Sequence, residues 1–109
     1  MIARASAGAR GATIAIGTAV GLTGHRERRD WARDDDQRRF SEELLLTIDS
    51  ARATPVEIVI REHLYRGQNW TLAYHSAPAA KEGTRQLALR AAVPANGRAK
   101  VLYVVVYTW

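Results

Sequence analysis

Three histidines and one glutamate of this 109-residue chain could most readily do chemistry: His25, Glu62, His63 and His75. Imidazole serves as a general base or a metal ligand, and a neighbouring carboxylate can orient it. A site built from Glu62, His63 and His75 requires the strands that carry them to be neighbours. No two histidines lie close in sequence, and neither H-x-H nor HExxH occurs. Exposed or hydrogen-bonded histidines in a sheet are therefore favoured over a catalytic or metal role.

Other catalytic chemistries lack the residues that they need. The chain has no cysteine, which excludes disulfides, thiolate metal sites and a cysteine nucleophile. Neither G-x-S-x-G nor S-x-x-K occurs, and no glycine-rich loop leads from a strand into a helix. The run Asp34-Asp35-Asp36 lacks the alternating acids and the glycine of a Ca²⁺ loop, which favours a solvated acidic turn. We therefore predict no catalytic residue, no cofactor, no metal site and no enzyme.

The segment around residue 65 combines aromatic and basic side chains in what is predicted to be a loop. Aromatic rings beside basic groups can stack on sugars or bases. Two binding hypotheses are open: a protein–protein contact module, and a polysaccharide- or polyanion-binding module that also uses Arg61. The candidate contact residues are Glu62, His63, Tyr65, Arg66, Trp70 and His75.

The net charge of +5 comes from basic residues spread over the second half of the chain without a dense run. Diffuse charge attracts polyanions only modestly, so we expect no nucleic-acid partner. No run of about 18 apolar residues is present, and we expect no membrane span. Residues 1–12 mix Ala, Gly and Arg without periodicity, which predicts a disordered basic arm.

The strongest structural element is the last stretch, residues 98–109, which is rich in valine and aromatic residues and has no internal Gly or Pro. Its period of two places Leu102, Val104 and Val106 on one face. A strand that is apolar on both faces is typical of a central position covered on both sides. The other predicted face consists of Val101, Tyr103, Val105, Tyr107 and Trp109.

Turn residues divide the rest of the chain into shorter strands. The turns at 50–55 and 94–97, the latter with Asn96-Gly97, predict antiparallel hairpins, and 76–83 is predicted to be a loop. The pattern indicates an all-β domain over 13–109, an antiparallel, immunoglobulin-like β-sandwich of about six to eight strands. The predicted strands before the last are 13–23, which is weak, 25–36, which is charged and anchored by Trp31, 38–49, 55–64, 70–75 and 84–93.

Two blocks of the sequence, 56–70 and 93–109, resemble the C-terminal domain of bacterial mucoidy-inhibitor-A-like secreted proteins, a domain of unknown function. In that family a strand ending in E-H-L precedes a tryptophan-containing strand, and the domain closes with V-P-A-G-G and an aromatic-ended strand. The likeness covers about residues 13–109. The matching positions here are Glu62-His63-Leu64, Trp70, His75-Ser76-Ala77-Pro78, Lys81-Glu82 and Pro94-Ala95-Asn96-Gly97.

The resemblance implies an all-β module of a periplasmic or secreted protein and assigns no catalytic residue. Family members are several times longer, so the chain is expected to be a C-terminal fragment of that architecture. Arg4 and Arg10 interrupt any apolar signal sequence, which leaves cytoplasmic retention as the alternative. In the longer family members, other parts of the protein would cover some strands of this domain. Those strands would be exposed here, and we expect self-association through a sheet edge or an apolar patch. The favoured function is a non-enzymatic envelope module for protein–protein contact.

Overall fold

The computed structural model describes the backbone of residues 2–7, 10–15 and 21–109, and the side chains from residue 21 onward. Every regular element in these ranges is a β-strand, which confirms the all-β class. The strands are β1 (Ile2–Ala7), β2 (Arg10–Ala15), β3 (Leu22–Asp34), β4 (Arg39–Ser50), β5 (Val56–His63), β6 (Trp70–His75), β7 (Ala79–Gly83), β8 (Gln86–Val93) and β9 (Arg98–Thr108).

The strands form two antiparallel sheets. The first has the order β2-β1-β5-β8-β7, and the second has the order β3-β4-β9-β6. The last strand lies between β4 and β6, as its apolar sequence predicts. The two sheets pack in a sandwich-like arrangement, whereas the finer immunoglobulin-like likeness is not confirmed and stays a prediction.

The core lies between the inner faces of the two sheets. Alternate residues of β4 and β9 point into it, including Leu46 and Val105, and they meet Ile58 of β5 and Leu89 of β8. All four of these side chains have no accessible surface. The period of two in each strand therefore selects the buried set, as expected for sheets that are apolar on one face.

Both hairpins predicted from short turns are wrong, because each turn joins strands of different sheets. The segment after β4 leads to β5 in the other sheet, and residues 94–97 lead from β8 across to β9. The two crossings lie side by side, where the Ser50 amide donates to the Gly97 carbonyl at 2.8 Å. Asn96 of this turn has a positive φ of 49°, a conformation that asparagine tolerates. The turn residues therefore predict where the chain reverses, but not which sheet the next strand joins.

The loop predicted over 76–83 ends in an edge strand, β7, that pairs with β8. Its sequence, A-A-K-E-G, has no β-branched residue and is poor in β-propensity. Pairing with β8 therefore stabilises a strand that its own residues do not favour.

The outer face of β9 is only half covered. Leu102 and Val104 are intermediate in exposure, although Val106 is buried, so the expected cover on both faces is incomplete. Trp31, the predicted anchor of β3, is 55% exposed and stacks on Phe40 with ring centroids 5.9 Å apart. Trp109 lies beyond the end of β9 and is 53% exposed.

The N-terminal predictions fall partly outside the described residues. The arm predicted over 1–12 includes residues 1, 8 and 9, which are not described, and it stays a prediction. The described backbone of β1 pairs with β2 and with β5. The weak strand predicted over 13–23 overlaps the end of β2 and the start of β3, and residues 16–20 between them are not described.

Candidate functional site

Two glutamates lie on the inner faces of the sheets, Glu42 on β4 and Glu62 on β5. Their exposed fractions are 8% and 3%. Alternation places them there, since each occupies a core-facing position of its strand. A buried carboxylate is costly unless it is paired and hydrogen-bonded, so each must find partners.

Glu62 joins the two sheets through a charged pair and a hydroxyl. Arg26 Nε of β3 donates to Glu62 Oε1 at 3.0 Å, and the Tyr103 hydroxyl of β9 donates to the same oxygen at 3.2 Å. Burial opposes the charge on Arg26, but Glu62 outweighs it and raises the pKa of the guanidinium. Burial and the neighbouring Glu62 raise the pKa of the Tyr103 hydroxyl, which keeps it a donor.

Glu42 is held by two arginines. Arg28 Nη1 lies 3.3 Å from Glu42 Oε2, and Arg66 Nε lies 3.0 Å from Glu42 Oε1. The Arg66 guanidinium also lies over the Phe40 ring, 4.1 Å from its centroid, which is a cation–π geometry. Burial, with a further contribution from Glu42, raises the pKa of Tyr107 to about 12.

A cleft of about 500 Å³ opens above these pairs, and we call it the arginine cleft. Tyr65 stands at its rim with 80% of its surface exposed. The ring of His63 packs against that of Tyr65, with centroids 4.5 Å apart and planes at 53°. The lining residues are Arg26, Arg28, Glu42, His63, Tyr65, Arg66 and Tyr107.

The charges around the arginine cleft do not balance. Three guanidinium groups, those of Arg26, Arg28 and Arg66, meet the two carboxylates of Glu42 and Glu62. One positive charge is therefore left over when His63 is neutral. The arrangement can attract a small anion, and the exposed aromatic rim can cover its apolar part.

The structure brings together part of the predicted contact set. His63, Tyr65 and Arg66 share the arginine cleft, with Glu62 beneath them on Arg26. His75 lies in the other sheet from His63, and its Nδ1 contacts the Ala77 carbonyl at 2.7 Å. The strands of His63 and His75 are not neighbours, so a site formed by Glu62, His63 and His75 is not assembled.

Two other predicted contact residues are engaged elsewhere. Trp70 is 7% exposed, its Nε1 donates to the Thr84 carbonyl at 3.0 Å, and Lys81 Nζ lies 4.7 Å from its ring. Arg61, proposed for polyanion binding, donates to Glu82 at 2.8 Å. Neither side chain lines the arginine cleft.

Sequence reasoning missed Arg26, Arg28 and Glu42. The available signal was the R-x-R spacing in β3, which puts two arginines on one face of a strand. The other signal was Glu42, which interrupts an apolar face. What joins them is the pairing of β3 with β4, in which Arg28 lies opposite Leu44 and Trp31 opposite Glu42.

The acidic turn after β3 forms a second, larger cleft of about 720 Å³. Asp34 Oδ1 accepts the Gln37 amide at 3.1 Å, and Arg33 Nε donates to Asp35 Oδ1 at 2.6 Å. These contacts are those of a solvated turn beside an arginine. Within the described residues, no group of three or more His, Asp or Glu side chains is arranged to hold a metal ion.

A second surface of interest is the outer face of the four-stranded sheet. Four apolar side chains, the outer strip, lie there on β4, β6 and β9: Leu45, Tyr74, Leu102 and Val104. Leu45 pairs with Leu102, and Tyr74 pairs with Val104, so the four form a continuous patch. Tyr74 is 51% exposed, and the other three are intermediate.

Three carboxylates border the outer strip: those of Glu27 and Asp30 on β3 and that of Glu43 on β4. Glu27 lies opposite Leu45, and Asp30 lies directly opposite Glu43. No arginine, lysine or histidine of residues 21–109 lies within ion-pair distance of these three. The patch therefore combines apolar surface with a border of carboxylates.

Comparison of the chain with family models, with curated proteins and with solved structures finds no match. The resemblance to the mucoidy-inhibitor-A-like C-terminal domain therefore stays a prediction. No helix in the described part of the chain is long and apolar enough to cross a membrane.

Proposed function

We propose that this domain is a non-enzymatic module for protein–protein contact in a periplasmic or secreted bacterial envelope protein. The observation that supports it is the outer strip, an apolar patch in the middle of a sheet face. The envelope location comes from the sequence resemblance alone.

The size of the face fits a small protein interface. At about 3.3 Å per residue, the eleven residues of β9 extend about 36 Å, and four strands at about 4.8 Å spacing span about 15–20 Å. The face thus offers about 600 Å², close to the roughly 800 Å² that each partner contributes to a standard interface.

The charges on the face select the chemistry of the partner. Asp30 and Glu43 oppose each other across two strands, an arrangement that destabilises a sheet unless a cation lies nearby. We therefore propose a partner whose contact segment alternates apolar side chains with lysine or arginine. The apolar residues would cover Leu102 and Val104, and the basic residues would reach the two carboxylates.

A synthetic peptide that alternates Val and Lys over 12 residues tests this proposal by NMR titration of the labelled domain. Expected shifts are confined to the outer strip and its acidic border, and Val104→Arg abolishes them. Val59→Arg is the matched control, because Val59 is a valine of intermediate exposure in the other sheet. Equal binding of a peptide with Glu in place of Lys would contradict the proposal.

A polysaccharide- or polyanion-binding module is the second candidate, and the arginine cleft favours it. Among residues 21–109, Tyr65 is the most exposed of the large apolar residues, and it is adjacent to Arg66 in the chain. Retention on a heparin column in a salt gradient is the test. Elution before about 0.1 M salt would exclude a densely charged polyanion as the ligand, because exposed charge contacts are screened at that strength.

A further inference from the structure

We infer that the arginine cleft is a binding site for a carboxylated sugar. The inference rests on the second candidate function and specifies its ligand class: a pyranose ring that carries one carboxylate. Its support is the geometry of the three arginines, the remaining charge and the aromatic rim.

The arginines present unused donors to the cleft. Arg26 and Arg66 each contact their glutamate through Nε, at 3.0 Å in both cases. Each guanidinium carries five N–H donors, more than one contact to a glutamate uses, although Arg26 also has the Tyr103 hydroxyl as a hydrogen-bond neighbour. The two Nη groups of a guanidinium form a planar fork that matches the two oxygens of a carboxylate.

The buried glutamates hold these forks in place. Glu42 and Glu62 are fixed on the inner faces of β4 and β5, and Arg66 is further held over the Phe40 ring. An incoming anion thus meets guanidinium groups that are already held by a carboxylate. Such preorganisation favours binding, because less entropy is lost when the ligand docks.

The remaining charge favours a singly charged ligand. Glu42 and Glu62 neutralise two of the three guanidinium groups, so a densely sulfated chain would bring its further charges close to two carboxylates. One carboxylate matches the single positive charge that is left. A carboxylated sugar is therefore favoured over a polysulfated one.

The rim of the cleft suits a sugar ring. Tyr65 and His63 form a tilted aromatic pair, and the face of a pyranose packs well on such a surface. The volume of about 500 Å³ lies within the roughly 300–1,000 Å³ of small-molecule sites. The carboxylate would lie on the arginine forks while the ring lies against Tyr65.

Calorimetric titration of the full chain with a glucose tetrasaccharide that carries a single terminal glucuronic acid tests the inference. Binding of this probe is expected, with at least tenfold weaker binding of a neutral glucose tetrasaccharide. Arg66→Lys keeps the charge but removes the fork, and it should weaken binding of the acidic probe at least tenfold. Tyr65→Ala removes the rim at an exposed position where folding is not at risk, and it should weaken binding similarly. Arg90→Gln, at an exposed pair with Glu57, is the control and should bind as the wild type does.

Several outcomes would overturn the inference. Equal binding of the acidic tetrasaccharide to Tyr65→Ala would exclude the aromatic rim from the site. Equal binding of the neutral tetrasaccharide to the wild type, or of the acidic one to Arg66→Lys, would exclude carboxylate recognition at this cleft while keeping a glycan-binding function. Tighter binding of a sulfated tetrasaccharide would have the same meaning. No binding of any of the three sugars would remove both the inference and the second candidate function.

Discussion

Arg26 and Glu62 connect the two sheets of this protein: Arg26 Nε on β3 donates to Glu62 Oε1 on β5 at 3.0 Å. The pair has one buried member and one that is 43% exposed at the side chain. Tyr103, from the centre of the four-stranded sheet, adds a second contact to Glu62. Charged contacts between the sheets thus accompany the apolar core.

The first prediction concerns the stability that this pair provides. Glu62→Ala should lower the free energy of unfolding by about 1–3 kcal/mol, because it leaves the Tyr103 hydroxyl and Arg26 without their acceptor. Glu57→Ala, which removes an exposed partner of Arg90, should change it by no more than about 0.5 kcal/mol. Urea unfolding of both variants measures the difference. Equal effects would show that the inter-sheet pair contributes little.

The second prediction is a loss of stability in alkali. Folding raises the pKa of Tyr107 from 10.0 to about 12, so the folded state retains this proton at a pH where the unfolded chain releases it. The resulting stabilisation is fully present below pH 10 and declines as the pH rises from 10 to 12. Urea unfolding between pH 9 and 11.5 should show this decline. The Tyr107→Phe variant should show a shallower decline, and an equal slope would contradict the assignment.

The third prediction uses the opposed carboxylates beside the outer strip. Glu43→Gln should raise the free energy of unfolding by about 0.2–1 kcal/mol, because it removes the repulsion from Asp30. The gain should shrink when salt is raised to about 1 M, where exposed charges are screened. The same variant should bind the Val-Lys peptide more weakly. Unchanged peptide binding would show that the acidic border does not select the partner.

The fourth prediction compares two glycines. A Cβ on Gly97 would lie 2.6 Å from Pro94 Cγ, and the proline ring has little freedom to move. Gly97→Ala should therefore destabilise the protein by about 1–3 kcal/mol. A Cβ on Gly67 would meet nothing within 4 Å, so Gly67→Ala should leave stability unchanged within about 1 kcal/mol. Thermal unfolding of both variants measures the two losses of stability. Equal losses would show that the turn before β9 relaxes around the added methyl group, and would contradict the prediction.

The fifth prediction is weak self-association of the isolated domain through the outer strip, which remains partly exposed in the monomer. Facing copies of Asp30 and Glu43 would repel each other, so added salt should strengthen the association. Sedimentation should show a rising mass with concentration, and Val104→Arg should abolish the rise whereas Val59→Arg should not. A clean monomer at millimolar concentration would contradict it.

The strands and their buried faces follow largely from the sequence. The bounds predicted for β4, 38–49, differ from those observed by one residue at each end, and those predicted for the last strand, 98–109, differ by one residue at the end only. Apart from Trp109, which is 53% exposed, the face predicted for the last strand is buried from Val101 to Tyr107. A period of two depends only on neighbouring residues, so local pattern is sufficient to read it.

The candidate site was only partly predictable. Tyr65, Arg66 and His63 were recognised as an aromatic and basic group, and they do share the arginine cleft. Arg26 and Arg28 lie about 35–40 positions away in the chain, on a strand read as a charged, solvent-facing one. Only the packing of β3 beside the buried glutamates shows that their charge is used.

The sequence by itself determined that the chain forms strands, where most of them lie, and which side of each is apolar. The tertiary structure alone decided which strands share a sheet, so that two apparent hairpins became crossings at Ser50 and Gly97. It also decided that Glu42 and Glu62 have arginine partners and that the outer face of β9 is half exposed. The reason is that alternation and turn chemistry are local, whereas strand pairing and charge pairing join residues that are distant in the chain.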